Sequence, residues 1–194
     1  MIVLLATRNR GKLDELQALF RGSPMELVLP ESRGVQMPVV NEDMGTFKDN
    51  ALKKAKALAA ASGQWALADD SGLEVDILGG APGIRSARFA GPGASDEANT
   101  RKLLKVLRST RKRRARFKCV LALAKPGGES ITAEGSLEGE ISVKASGEGG
   151  FGYDPIFFLP QYGRTLAELP FSEKQRLSHR ARAAEKLKTL IPAF

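Results

Sequence analysis

The chain has 194 residues, of which 42% are hydrophobic and 27% charged, and its 30 Lys and Arg against 22 Asp and Glu give a net charge of +8. These values are typical of a soluble globular protein with one substantial core, and no apolar run approaches the ~18 residues of a membrane span. The basic balance indicates a polyanionic partner, either nucleic acid or a small phosphorylated molecule. The apolar start is too short for a secretory signal, so we predict a cytoplasmic protein.

The first half of the chain predicts alternating strands and helices. Met1–Ala6 is typical of a buried strand and Gly11–Phe20 of an amphipathic helix, and Met25–Leu29 predicts a second strand. After a loop over residues 30–38, Thr46 is the expected N-cap of a helix that runs to about Ala61. Trp65–Ala68 predicts a short third strand that delivers Asp69 and Asp70 at its carboxyl end.

The second half predicts a hairpin between loops and closing helices. A glycine-rich loop over residues 79–93 precedes a helix that Ser95 or Asp96 caps and that continues through Leu107. The pattern then predicts strands at Ala115–Ala124, Glu129–Leu137, Glu140–Lys144 and Ile156–Leu159, and two helical segments, the last over Ser178–Leu190. The mixture predicts an α/β protein with a mixed sheet, formed as one domain of one or two lobes over residues 1–194.

The junction between the first strand and the first helix carries the sequence TRNRGK (residues 7–12). Unpaired N–H groups and the positive end of the helix dipole favour phosphate at such a junction, and Lys12 adds a full charge. A P-loop does not fit, because Ala6 and Leu13 occupy positions where that motif requires Gly and Ser or Thr. An ordinary polar turn is the alternative to a phosphate site.

Two acidic pairs are candidates for metal and proton chemistry. Asp69 and Asp70 can bind a hard divalent cation or accept a proton from water, although an Asp-Ser-Gly sequence also caps turns. Adjacent strand residues point to opposite faces, so at most one of the two enters a given cleft. We favour Asp70 as catalytic and Asp69 as structural. Glu42 and Asp43 precede a helix start, where acids are favoured in any case, and a metal role requires that one of them meets Asp70.

Two further motifs could hold a nucleoside. In GGFGYDP (residues 149–155), glycines permit close backbone approach and an aromatic ring can stack on a base, but the same letters suit a tight turn that buries Phe151. Lys174, His179 and Arg180 supply several donors near the start of the last helix, although a lone His there is usually structural.

Two other features point away from chemistry. The basic run RSTRKRRAR (residues 108–116) lacks interleaved aromatics, which favours a solvated loop over a nucleic-acid groove. Cys119 is the only cysteine and lies in an apolar run, which favours a buried small hydrophobe over a catalytic thiol.

The ordered set of motifs resembles one enzyme family. TRNRGK, EDMGTFKDNALKKA, ADDSGLEVDILGGAPGIRSARFAG, GFGYDPIF and EKQRLSHRARA are similar to the motifs of the non-canonical purine nucleoside triphosphate pyrophosphatases, also called the inosine triphosphatase or HAM1-like family. The resemblance extends from Ile2 to about Leu190. It implies an elongated mixed β-sheet flanked by helices, with two lobes around a central cleft, and a homodimer.

The resemblance also implies the chemistry and the residues. Members hydrolyse dITP, ITP and XTP to the monophosphate and pyrophosphate with Mg²⁺, which keeps deaminated purines out of nucleic acid. By motif, Glu42 and Asp70 bind the metal, and Asp70 is also the general base. The triphosphate contacts implied are Thr7, Arg8, Asn9, Arg10, Gly11, Lys12 and Lys54, and the nucleoside contacts are Ser71, Phe151, Gly152, Tyr153, Asp154, Lys174, His179 and Arg180. The predicted partner is thus a small nucleotide, with neither nucleic acid nor membrane.

This chain departs from the family pattern at two places. Arg8 stands where the family's Thr-Gly-Asn motif has Gly, and a side chain there interferes if the backbone needs a positive φ. The acidic motif is about one residue shorter than usual, which leaves Glu42 and Asp43 as alternative metal ligands. A similarly shaped pyrophosphatase for modified pyrimidine nucleotides and a nucleic-acid-binding module are the rival functions.

Overall fold

The structure is a computed structural model that describes residues 1–191 and residue 194, and its chain divides into two compact units. The first unit comprises Met1–Asp70, Cys119–Gly135 and His179–Phe194. The second comprises Ser71–Lys118 and Ser136–Ser178. Each unit has its own apolar core.

The first unit begins with the predicted strand–helix–strand sequence. Strand β1 spans Ile2–Leu5, helix α1 spans Arg10–Phe20 and strand β2 spans Glu26–Val28. Three of the four β1 side chains are buried, as the apolar run predicts. The helix begins one residue before the predicted start, because the side chain of Asn9 accepts a hydrogen bond from the Lys12 N–H and so provides the N-cap.

Helix α2 spans Phe47–Ser62 and follows its predicted cap closely. The Thr46 side chain accepts a hydrogen bond from the Asp49 N–H, and Gly63 ends the helix in a left-handed conformation with φ of 64°. The helix buries an apolar stripe that includes Ala51, Ala55 and Leu58. The region predicted as loop before it contains a short 3₁₀ helix at Pro30–Arg33.

The third strand, β3, spans Ala66–Val75 and is much longer than predicted. The prediction that it ends at Ala68 is wrong, so Asp69 and Asp70 lie inside the strand and not at its end. The strand continues because Leu73 and Val75 resume the apolar alternation and are fully buried in the second unit's core. Asp69 and Asp70 interrupt the apolar pattern of the sequence, but the strand continues through both residues.

The remaining elements belong wholly or partly to the second unit. Helix α3 spans Asp96–Val106 with Ser95 as its N-cap, and strands β4 and β5 span Arg114–Ala124 and Ser130–Ile141 across a tight turn, which confirms the hairpin. The separate strand predicted at 140–144 is wrong, because β5 itself continues to Ile141. The last elements are β6 (Phe157–Leu159), β7 (Arg164–Thr165), α4 (Phe171–Leu177) and α5 (His179–Leu190).

Within residues 1–191, seven strands form one mixed sheet in the order β2-β1-β3-β4-β5-β6-β7. Strand β1 is parallel to β2 and β3, whereas β6 is antiparallel to both β5 and β7. The predicted α/β class with a mixed sheet is therefore confirmed. Strands β3, β4 and β5 contribute residues to both units.

One glycine fixes how α5 packs in the first unit. A Cβ atom at Gly135 of β5 would lie 2.1 Å from the His179 carbonyl oxygen and 2.5 Å from the Ala183 nitrogen. The first turn of α5 therefore rests directly on the β5 backbone, which only a residue without a side chain permits. Among the residues that the structure describes, no helix is long and apolar enough to cross a membrane.

Candidate functional site

Two acids from distant segments meet at one lysine in the first unit. Lys54 Nζ donates to Glu42 Oε1 at 2.7 Å and to Asp70 Oδ1 at 2.9 Å. It also donates to the main-chain oxygen of Asp69 at 2.8 Å. Glu42 precedes α2, Lys54 lies on α2 and Asp70 lies on β3, so the fold assembles this acid–lysine cluster from three places in the chain.

Glu42 and Asp43, in the loop before α2, pair with different lysines. Lys53 pairs with Asp43 at 2.6 Å on the exposed side of α2 and donates to the Asn41 carbonyl at 3.0 Å. Glu42 turns instead towards Lys54 and Asp70. The requirement that an acid of this loop meets Asp70 is thus satisfied by Glu42.

Asn50 anchors the backbone of this loop. Its side chain is buried, and its Oδ1 accepts a hydrogen bond from the Met44 N–H at 3.1 Å. Asn50 and Lys54 are one helical turn apart and lie on the same face of α2. One face of the helix therefore holds the loop backbone at Met44 and the carboxylate of Glu42.

Replacing Asn50 by alanine is expected to loosen the loop. The Met44 N–H loses its acceptor, so we expect the free energy of unfolding to fall by about 1–3 kcal/mol and hydrogen exchange over residues 41–46 to accelerate. Chemical denaturation and exchange mass spectrometry measure the two effects. Lys56→Ala, an exposed position on the same helix, is the control and should change neither. Unchanged exchange in Asn50→Ala would show that the loop is held in place without this hydrogen bond.

Burial and charge act in opposite directions inside the acid–lysine cluster. Burial raises the pKa of Asp70 above its usual range, and the Lys54 ammonium only partly offsets this effect. Burial alone would lower the pKa of Lys54, but the negative charges of Asp70 and Glu42 outweigh it and the pKa is raised. The lysine is therefore cationic, and Asp70 is the more basic of the two neighbouring aspartates.

Asp69 points to the other side of β3, into a buried ionic network. Its carboxylate is fully buried and pairs with Lys12 at 2.5 Å and with Arg180 Nε at 2.7 Å. Arg180 also pairs through Nη1 with Glu15 of α1. Burial would raise the pKa of Asp69, but the two cations outweigh it and hold that pKa well below its usual range. The expected structural role of Asp69 is confirmed.

Cys119 belongs to this network as a buried neighbour. Its Sγ lies 3.2 Å from Asp69 Oδ2, and burial together with that carboxylate raises the pKa of the thiol well above its usual range. A buried thiol that keeps its proton is a poor nucleophile. The interpretation of Cys119 as a packing residue is confirmed.

The β1–α1 junction is exposed and polar. Asn9 caps the helix, and the Thr7 hydroxyl oxygen accepts a hydrogen bond from the Asn9 N–H at 3.1 Å. Arg8 and Arg10 are exposed and Gly11 is half-buried. Every described residue with positive φ is a glycine, so Arg8 does not need a left-handed backbone where the family has Gly. That substitution is accommodated without backbone strain.

A second polar cluster lies in the second unit. Lys174 Nζ pairs with Asp154 Oδ2 at 2.5 Å, and the same oxygen accepts a hydrogen bond from the Phe151 N–H at 2.9 Å. The ammonium lies 4.8 Å from the centroid of the Phe151 ring. Lys174 and Asp154 are both buried, whereas Phe151 is half-buried. The structure thus brings together three of the predicted nucleoside residues.

The other predicted nucleoside residues are placed differently. The Gly152 N–H donates to Asp96, and the buried Tyr153 donates its hydroxyl to the Ser86 carbonyl at 2.8 Å. Ser71 follows Asp70 on β3, and His179 is the buried first residue of α5. Arg180 is only 1% exposed and is engaged by Asp69 and Glu15. Nucleoside contact by Tyr153 or Arg180 stays a prediction.

Two arginines of the basic run, Arg113 and Arg116, are engaged by contacts within the second unit. The guanidinium of Arg113 donates to the carbonyls of Leu107, Ile141 and Ser142. Arg116 pairs with Asp76 and lies within 4 Å of Glu74 and Glu138. Arg113 thus ties the run to β5, and Arg116 neutralises acids on the same sheet.

The residues present fit a hard divalent cation held by few protein oxygens. Among the described residues there is no group of three or more His, Cys, Asp or Glu side chains that could hold a metal. Glu42 and Asp70, however, already share one cation, the Lys54 ammonium. Magnesium is commonly bound through one or two carboxylates together with substrate phosphates, so this pair suffices.

Sequence reasoning missed three residues around the site. Glu15 and Asn50 are polar side chains buried on amphipathic helices, and Lys53 distinguishes Asp43 from Glu42. The only local signal was the helical spacing that places Asn50 and Lys54 on one face. The partner of Glu15 lies 165 residues away, beyond any local pattern.

The chain combines a mixed α/β fold with an acid–lysine cluster and a polar strand–helix junction, groups whose chemistry suits a hard cation and phosphate oxygens. The Ham1 family model matches residues 3–190, and the chain belongs to the Ham1 family. A relative from Desulforamulus reducens, named dITP/XTP pyrophosphatase, is 50% identical over 98% of this chain and 96% of its own length. One of the same name from Geobacter sulfurreducens is 50% identical over 96% and 94%.

Solved structures agree with the fold. A HAM1 protein from Coxiella burnetii matches with a TM-score of 0.89 and 38% identity, covering 100% of both chains. A structure from Mycobacterium abscessus, described as nucleoside-triphosphatase / dITP/XTP pyrophosphatase, matches with a TM-score of 0.77 and 42% identity over 96% of this chain and 98% of its own. These matches cover nearly the whole chain and include both units.

Proposed function

We propose that this protein hydrolyses deaminated purine nucleoside triphosphates, namely dITP, ITP and XTP, to the monophosphate and pyrophosphate. The observation that carries the proposal is the convergence of Glu42, Asp70 and Lys54, in a chain half identical to dITP/XTP pyrophosphatases. The reaction removes deaminated purines from the nucleotide pool before they enter DNA or RNA.

The metal role falls to Glu42 and Asp70, and the metal we propose is Mg²⁺. Both side chains offer hard oxygen ligands, and the loop contacts of Asn50 and Lys53 hold Glu42 in place. A magnesium ion bound there would neutralise charge on the phosphates during cleavage. Removal of divalent cations by a chelator should therefore abolish turnover, and added Mg²⁺ should restore it.

Asp70 is proposed as the general base. Its pKa is raised by burial, so its carboxylate accepts a proton more readily than that of Asp69. It would take the proton from the attacking water as the new P–O bond forms at the α-phosphorus. The bond from that phosphorus to the bridging oxygen breaks, and pyrophosphate leaves.

The β1–α1 junction and Lys54 are proposed to bind the triphosphate. A triphosphate carries about four negative charges, and the first turn of α1 offers backbone donors at the positive end of its dipole. Arg8 and Arg10 are exposed there, and the capping contacts of Thr7 and Asn9 order the turn. Gly11 and Lys12 complete the proposed set, with Lys12 placed by Asp69.

The second unit supplies the proposed nucleoside contacts. The half-buried Phe151 ring can stack on a base, and Asp154 holds both the Phe151 backbone and the Lys174 ammonium. A donor such as Lys174 suits the 6-oxo group of hypoxanthine or xanthine, whereas the 6-amino group of adenine faces it donor to donor. Ser71, Gly152 and His179 stay predictions for the same ligand.

A substrate panel tests the proposed activity. The enzyme would be assayed with dITP, ITP, XTP, ATP, dGTP and dTTP in the presence of Mg²⁺, with pyrophosphate and orthophosphate measured separately. We expect pyrophosphate as product and kcat/KM for dITP at least about 10²-fold above that for ATP, because a site that pairs a carbonyl rejects the mismatched analogue. Similar efficiencies for ATP and dITP would contradict the specificity, and orthophosphate release would contradict the bond cleaved.

The same panel separates the rival functions. Preferential cleavage of a pyrimidine nucleotide would indicate a pyrimidine-directed pyrophosphatase. A nucleic-acid-binding module would release no pyrophosphate and would bind DNA or RNA with an affinity that falls steeply with salt. Location in the cytoplasm and a homodimeric state are proposed on the family resemblance, and cell fractionation and the mass in solution test them.

A further inference from the structure

The Lys54 ammonium occupies the space between the two proposed metal ligands. Its three N–H bonds are matched by three oxygens: Glu42 Oε1 at 2.7 Å, the Asp69 carbonyl at 2.8 Å and Asp70 Oδ1 at 2.9 Å. Its side chain is only 12% exposed. Two carboxylates and a carbonyl are also the oxygen ligands that proteins offer a hard metal ion. The ammonium of Lys54 thus lies in an environment that would suit such an ion.

These contacts conflict with the use of the same acids for a metal. A carboxylate oxygen that accepts a short hydrogen bond from an ammonium presents less negative charge to a second cation, and two cations on one acid pair repel each other. The neighbouring Lys53 does not replace Lys54 at these acids, because it is held by Asp43 and the Asn41 carbonyl. Metal binding to Glu42 and Asp70 is therefore favoured when Lys54 leaves them.

We propose that Lys54 is an exchangeable counter-ion: it holds Glu42 and Asp70 together before loading, and it moves to the triphosphate when a divalent cation takes its place. The inference rests on the proposed function, because it concerns the same acids and the same substrate. The lysine stem is flexible and its ammonium is a point charge, so one side chain can serve both positions. The incoming phosphates provide the anion that the ammonium needs once it leaves the acids.

The exchange makes metal and nucleotide binding mutually dependent. Without nucleotide, a metal ion must displace an ammonium that gains no new anion, so binding is weak. With nucleotide, the displaced ammonium pairs with phosphate, and the metal binds more tightly. By linkage, the metal strengthens nucleotide binding by the same factor. The acid pair thus has a cation beside it both before and after loading.

Mn²⁺ binding to the nucleotide-free protein tests the exchange. Its Kd would be measured by electron paramagnetic resonance for the wild type, Lys54→Met and the matched control Lys56→Met, which removes the same charge at an exposed position of the same helix. We expect Lys54→Met to bind Mn²⁺ about tenfold more tightly than wild type, within the usual range of coupling between sites, and Lys56→Met to remain close to wild type. Adding Glu42→Gln to Lys54→Met should abolish the gain.

Folding is verified by circular dichroism, and Lys54→Gln, which keeps a donor for the acids without a charge, is the second variant. Unchanged or weaker Mn²⁺ binding in both Lys54 variants would overturn the exchange. The proposed function would still stand if turnover by the wild type needs a divalent cation and Asp70→Asn abolishes that turnover. If the Lys54 variants bind Mn²⁺ no more tightly than wild type and turnover needs no divalent cation, both the exchange and the proposed metal role are overturned.

Discussion

Replacing Asp70 by asparagine is expected to lower kcat for dITP by about 10²- to 10⁴-fold or more, because the group that accepts the proton of the attacking water is lost. The fold should survive, since asparagine has nearly the same shape and its side-chain oxygen can still accept a hydrogen bond from Lys54. Much of the nucleotide affinity should remain as well. Steady-state kinetics and a binding titration with dITP measure the two quantities separately.

Asp43→Asn is the matched control for this variant. It makes the same acid-to-amide change in the loop that carries Glu42, but Asp43 is exposed and pairs only with Lys53 among the ion pairs described. We expect kcat within a factor of about two of wild type, as for surface changes away from a site. Full activity in Asp70→Asn would remove Asp70 from the mechanism, and equal losses in both variants would point to a general effect of charge.

Replacing Arg180 by methionine is expected to lower the free energy of unfolding by about 3–5 kcal/mol, because two buried carboxylates lose their shared cation. Asp69 and Glu15 both pair with this guanidinium, and Arg180 is the largest side chain that is almost fully buried. Urea denaturation followed by circular dichroism measures the change. Methionine retains much of the length of the side chain, so the loss reports charge more than volume.

Two further variants isolate the charge effect. Lys186→Met lies on the exposed side of the same helix and should change stability by less than about 0.5 kcal/mol. Glu15→Gln in the Arg180→Met background removes one of the carboxylate charges that Arg180 neutralises, so the double variant should be less unstable than the sum of the single losses. A loss below about 1 kcal/mol in Arg180→Met would mean that the acids find other partners.

The sequence predicted best the elements whose signals are local. Helices α1, α2 and α5 combine an apolar stripe with a recognisable start, and the structure places their ends within about one residue of the prediction. The β4–β5 hairpin followed from two strand patterns across a glycine-containing turn. These features depend on neighbours within a few residues.

The extent of β3 could not be predicted in this way. Its acids are buried by a lysine on α2 and by an arginine 111 residues later in the chain, and their ion pairs make polar residues compatible with a buried strand. A pattern of apolar letters contains no information about such partners. The strand therefore appeared to end at two acidic residues that the fold buries.

The sequence did not distinguish Glu42 from Asp43 as metal ligand for a similar reason. Both acids precede the Thr46 cap and both suit a helix start, so their sequence positions do not distinguish them. Their lysine partners do, because Lys53 and Lys54 project from different sides of α2. The helix had been predicted, but the direction from which the loop approaches it depends on tertiary packing.

Gly135 shows how far from the chemistry a sensitive position can lie. A methyl group there would collide with the carbonyl of His179, so even alanine would push the start of α5 away from the sheet. Arg180 is the next residue on that helix, and its displacement would strain the pairs that neutralise Asp69. Substitutions at this glycine would thus act through the buried Arg180–Asp69 pair, and a mutational scan would identify a sensitive position that has no ionisable group of its own.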